Sequence, residues 1–183
     1  MGLQEHIGNI AHELGHAWGL YHEHQNKAFW AADGQQRVFV FQCENMQGFA
    51  AATRGLTRDE IWGARGVCVD WMTAVHAGVP STEFLPLPWG HSIWASYARD
   101  EDVDWDSIML YSSKIGANAE DAYVLMRRHG QQVLEDNVVP SAQDVQGIRH
   151  LYENRLSYPR TMLLNDPRNP YYSNFKRFAP GCT

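Results

Sequence analysis

Apolar residues recur at helical spacing at the very start of the chain. Ile7, Ala11, Leu14 and Trp18 fall on one stripe at about 100° per residue, with Ile10 at its edge. The pattern predicts a helix over residues 4–18, stopped by Gly19. Residues 37–43, RVFVFQC, are β-branched and aromatic and predict a strand. Thr57 followed by Glu60 is a capping box. It opens a predicted helix whose apolar side carries Ile61, Ala64, Cys68, Trp71, Met72 and Val75 and which ends near Gly78. Pro80, Pro86 and Pro88 predict an extended loop over 80–88. A short strand is expected over 123–127. Pro140 and Ser141 open a last helix with Val145, Ile148, Leu151 and Tyr152 on its inner face. From Ser157 onward no period is visible. The expected organisation is therefore a mixed α+β domain over 1–156 and an irregular tail over 157–183.

Composition narrows the function classes. Of 183 residues, 44% are apolar and 20% charged, which suits a globular domain rather than a disordered chain. No apolar run reaches the roughly 18 residues of a membrane span. A net charge of -6 offers no basic stripe to neutralise phosphates, so neither nucleic acid nor a membrane is an expected partner. Three cysteines, Cys43, Cys68 and Cys182, are too few for a disulfide-built scaffold but allow one bridge. No charged and then apolar leader is visible at the amino terminus. The expectation is a cytosolic protein or a chain that begins partway through a longer one.

The informative chemistry lies in the first helix, in the string HELGHAWGLYH from His12 to His22. His12 and His16 are one turn apart on one face, so both imidazoles can reach a single metal ion. They point about 140° to 180° away from Ile7, opposite the apolar stripe. Glu13 sits about 100° further round, beside the metal face without being a ligand, where a general base belongs. Gly19 lets the chain turn and return His22 as a third ligand. Three His ligands leave a coordination position open, the mark of catalytic rather than structural zinc. HExxH alone occurs on helices with merely solvated histidines, but the added Gly19 and His22 leave that reading little room. His6, His24, His91 and His129 have no comparable support and are expected at the surface.

The string matches the metzincin pattern HExxHxxGxxH, and two further features make the chain resemble the astacin family of zinc endopeptidases. His22 is followed by Glu23, and Ser107-Ile108-Met109-Leu110-Tyr111 looks like the family's Met-turn, S-I-M-x-Y. HEHQNKAFW, CENMQGF and Asp104-Trp105-Asp106 look most like the fungal secreted branch, and Ser141, Asp144, Ile148 and Tyr152 continue the likeness into the last helix. The resemblance implies a zincin-like fold, zinc held by His12, His16 and His22, Glu13 as general base, and Met109 as a floor beneath the site. It implies that Tyr111 is a switchable ligand that turns to the developing oxyanion. It also implies a peptide or protein substrate and secretion from the cell. Cys43 and Cys68 either pair, which the fungal look favours, or stay as two buried thiols.

The departures from the family carry expectations of their own. Asn26 stands where animal astacins usually have Arg, and Lys114 and Arg127 are candidates for substrate-pocket walls only by their nearness to the Met-turn. Family members carry a subdomain ahead of the zinc helix, and in them Glu23 binds the new amino terminus after propeptide removal. Here the likeness covers about residues 4–152. The stripe of Ile7, Ile10, Leu14 and Trp18 is thus expected to be bare and the isolated chain poorly folded. The alternative to a zinc endopeptidase is a truncated, zinc-binding but non-catalytic fragment of one.

Overall fold

The computed structural model describes residues 5–30, 38–88 and 98–153. The chain divides into two compact units, Met1–Val145 and Gln146–Thr183. The first combines short helices with a small antiparallel sheet, an α+β arrangement. The expected tail over 157–183 lies outside the described residues.

Helix α1 spans Glu5–Ala17, close to the span predicted from its periodicity. Gly19, at φ 98°, turns the chain beyond it, as a residue without Cβ can at little cost. The apolar stripe of α1 is indeed bare: Ile7, Ile10, Leu14 and Trp18 are 69, 59, 42 and 47% exposed. Its inward side is made instead by Gly8 and Gly15, both buried, and half-buried His12 and His16.

Strand β1, Phe39–Phe41, is shorter than the predicted 37–43, of which Arg37 lies outside the described residues. Phe39 and Phe41 point inward and Val40 is half-buried, the period-2 pattern of a sheet covering a core on one face. Helix α2 is a single turn, Phe49–Ala52. The helix predicted from Thr57 to Gly78 is two helices: α3, Arg58–Trp62, with the capping box formed, and α4, Trp71–Ala77. The apolar period ran across a break that it does not register. Asp70 caps α4 by accepting from Thr73 N–H at 2.8 Å, and Cys68, inside the break, is bonded to Cys43. The open alternative for these two cysteines resolves as a disulfide.

Residues 80–83 form a 3-10 turn rather than an extended loop. Strand β2, Leu125–Arg127, lies within the predicted 123–127, and β3 is Gln132–Val133. The sheet order is β1-β2-β3, all antiparallel, with Phe39 opposite Arg127 and Phe41 opposite Leu125. Phe29, Trp30, Phe39, Val124 and Leu125 are buried in the core this sheet covers; each such side chain removed from water is worth about 1.5–3 kcal/mol. Helix α5 runs Ala142–Glu153. Of the inner face expected for it, Ile148 is half-buried and Val145, Leu151 and Tyr152 are exposed.

Candidate metal centre

The site is assembled from three pieces of chain. Helix α1 presents His12 and His16, one turn apart. The turn at Gly19 returns His22 to meet them. Segment 107–111 passes beneath. The three Nε2 atoms converge, His22 standing 3.2 Å from His12 and 3.0 Å from His16. Among the described residues these three form a group close enough to hold one metal ion. A tetrahedral zinc with Zn–N near 2.0–2.1 Å separates its nitrogens by about 3.3 Å, so the donor set fits.

Protonation supports the same conclusion. His12 donates Nδ1–H to Ile108 O at 2.8 Å and His16 donates Nδ1–H to Leu20 O at 2.9 Å. A carbonyl only accepts, so in the neutral rings both Nε2 atoms carry lone pairs. Lone pairs facing one another at such separations can share a cation, or accept a proton carried by one of the rings. Burial, and then the neighbouring His24, push the His22 imidazole down to about 3, with His16 and His12 adding to the effect against the opposing hydrogen bond to Gln25. His22 is therefore neutral and able to ligate.

Segment 107–111 is tied down from both sides. Asp144 accepts from Ser107 Oγ–H at 2.6 Å and from Ile108 N–H at 2.9 Å. Ser141 N–H donates to the same carboxylate at 2.8 Å, and Ser141 Oγ accepts from Asp144 N–H at 2.9 Å. Met109 is buried beneath α1, and its carbonyl accepts from Glu23 N–H at 3.0 Å. The carboxylate of Glu23 is itself enclosed. It accepts from Asp104 N–H at 3.1 Å. Burial raises it to about 7, the Asp104 and Asp144 charges adding to the rise and the Asp104 N–H opposing it.

Tyr111 lies beside these imidazoles, its ring centroid 4.1 Å from that of His22 and 6.1 Å from that of His12. Burial pushes its hydroxyl up to about 12, with Glu83, Glu13 and the hydrogen bond to Glu83 adding to the rise. It is a neutral phenol, a donor rather than a phenolate. Glu13, His12 and Tyr111 line one cleft of about 640 Å³, whose walls include Ile108, Asp136 and Val138. Lys114 and Arg127 are not among the residues that line it. Arg127 pairs with Asp100 and lies over Trp105, 4.5 Å from the ring centroid, and Lys114 lies over Tyr123.

Among the histidines expected at the surface, His129 is exposed, while His91 and the side chain of His6 lie outside the described residues. His24 is a correction: it is 0% exposed. It stacks 5.3 Å from His22 and 4.9 Å from Tyr111, between Phe39 and Phe84, and donates Nε2–H to Glu83 O at 2.9 Å. Its position two residues beyond His22 carries no periodic signal. Gln25, Glu83 and Asp144 also line this group and were not singled out for it: Asp144 reaches Ser107 and Ile108 across 37 and 36 residues, Glu83 meets the Tyr111 hydroxyl, and Gln25 meets His22 from three residues on. No model of a known protein family matches the chain, and no curated protein matches it as a relative.

Proposed function

We propose that the chain is a zinc endopeptidase of astacin-like, zincin-fold type, acting on peptide or protein substrates. The observation that carries this reading is the convergence of three imidazole Nε2 atoms on one point at the edge of a cleft that also holds Glu13 and Tyr111. His12, His16 and His22 would hold the ion. When bound there, zinc lowers the pKa of a water toward roughly 7 and polarises a carbonyl oxygen. Glu13, unligated and open to the cleft, takes a proton from the attacking water as its oxygen joins the carbonyl carbon. It delivers that proton to the leaving amine as the C–N bond breaks. Tyr111, protonated, donates a hydrogen bond to the oxyanion that forms between those events. The Cys43–Cys68 bridge supports an oxidising, extracellular setting.

The bare apolar face of α1 favours a second reading, a chain that binds zinc without catalysis. One set of assays separates the two. Zinc content and hydrolysis of a quenched fluorescent peptide are measured for the parent and for Glu13→Gln. The enzyme reading expects one zinc in each and a loss of about 10²–10⁴-fold in rate for the variant. Tyr111→Phe should lose about 10–10³-fold. Stoichiometric zinc in a parent without hydrolysis selects the non-catalytic reading.

A further inference from the structure

We propose that Gln25 is a positioning residue of the metal centre, the group that sets which nitrogen of His22 is free to ligate. The inference rests on the metal-centre reading but not on the peptidase reading.

The third ligand differs from the other two. His12 and His16 donate Nδ1–H to backbone carbonyls, which fixes their tautomers without ambiguity. The Nδ1 of His22 instead meets Gln25 Oε1 at 3.0 Å. A side-chain amide has an accepting end and a donating end. Turned the other way, it would place its NH₂ against Nδ1, move the proton to Nε2, and leave that nitrogen unable to bind a metal.

The far side of the amide decides the matter. Gln25 Nε2–H₂ donates to Thr82 O at 2.8 Å and to Leu85 O at 3.2 Å. Only the amino end can meet two carbonyls, so the oxygen faces His22 and the His22 proton resides on Nδ1. Gln25 is buried, so water does not replace the contact. Its own backbone is held too, with Leu87 N–H donating to Gln25 O at 2.9 Å. Its neighbour His24 grips Glu83 O at 2.9 Å. Consecutive residues of the turn beyond His22 thus hold Thr82, Glu83 and Leu85, and the tautomer of a ligand is dictated by carbonyls in a distant stretch of chain. Groups that orient a ligating histidine commonly govern metal affinity in this way.

The test begins with the unsubstituted protein. Long-range ¹H–¹⁵N NMR of the metal-free chain should show His22 as the Nδ1–H tautomer, like His12 and His16. Gln25→Leu should weaken zinc binding about 10–100-fold in competition with a chromophoric chelator, and should alter the absorption spectrum of the cobalt-substituted protein. In that variant the His22 tautomer alone should lose its preference, a change that general loosening would not confine to one ring. An Nε2–H tautomer of His22 in the parent overturns the proposal. So does a folded Gln25→Leu variant with zinc affinity within twofold of the parent and an unchanged His22 tautomer. If Gln25→Leu does not fold, the tautomer in the parent decides. Failure of the parent to bind zinc at all would fell the metal-centre reading itself. Zinc binding together with an Nε2–H His22 would fell only the role of Gln25.

Discussion

Gly15 and Met109 meet where helix α1 crosses segment 107–111: a Cβ built on Gly15 would lie 2.6 Å from Met109 Sδ. Glycine in the middle of a helix costs about 1 kcal/mol against alanine, so its presence there reflects the sulfur below it. Gly15→Ala is expected to displace Met109, which is buried and has little room to yield. Overpacking costs about 1–3 kcal/mol and should outweigh the gain in helix propensity. Chemical denaturation of the variant, read beside zinc affinity, checks this; an unchanged or raised stability would show that Met109 moves freely.

Metal loss should follow the donor count. His12→Ala leaves two imidazoles, too few to hold catalytic zinc firmly, and should lower affinity by at least about 10²-fold. Metal analysis after dialysis is the measurement, and full zinc content in a His12/His16 double variant would remove the assignment.

Glu23 sets a pH dependence in the metal-free protein. Its carboxyl titrates near 7 when folded, against 4.5 ordinarily. The native state therefore holds a proton that the unfolded chain releases between those values, so stability falls as pH rises. The contribution is intact below about pH 4.5 and lost above about pH 7. Glu23→Gln can keep the acceptor for Asp104 N–H and removes the charge. It should stabilise the chain by up to roughly 3 kcal/mol at pH 8 and by little at pH 4. Urea melts at the two pH values test this, and equal gains at both would contradict it.

The Cys43–Cys68 bridge closes a loop with a sequence separation of 25. On chain-entropy grounds its removal should cost about 3–4 kcal/mol. The Cys43→Ser/Cys68→Ser double variant, melted beside the parent, checks the figure, and a change under 1 kcal/mol would mean that packing around the bridge holds without it.

The grouping of His12, His16 and His22 was legible because its geometry is local: the spacing of His12 and His16 is one helical turn, and Gly19 marks where the chain comes back. Helix α1 and the capping box at Thr57 were legible for the same reason, as was β2 from its short apolar run. What escaped was long in range or silent in side-chain pattern. The break at 63–70 interrupts an apolar period that continues unchanged through Ile61, Cys68 and Trp71. Gln25 answers to carbonyls 57 and 60 residues away, and a carbonyl is present at every residue. His24 looked like a surface residue because a histidine in a polar string gives no sign of the aromatic rings that close over it.

The bare outer face of α1 bears on how the molecule breathes. Ile7, Ile10, Leu14 and Trp18 contribute little burial to hold the helix in place. The visible fastenings include the His12 bond to Ile108 O and the close fits of Gly15 on Met109 and Gly8 on Val138. An ion shared by His12, His16 and His22 would add a fastening stronger than any of these, joining the helix to the turn beyond it. Stripping the metal should therefore speed amide exchange first along α1, while β1 and β2, seated over Phe39 and Leu125, keep their protection. The ion would then act as a latch on an element that apolar packing leaves loosely closed.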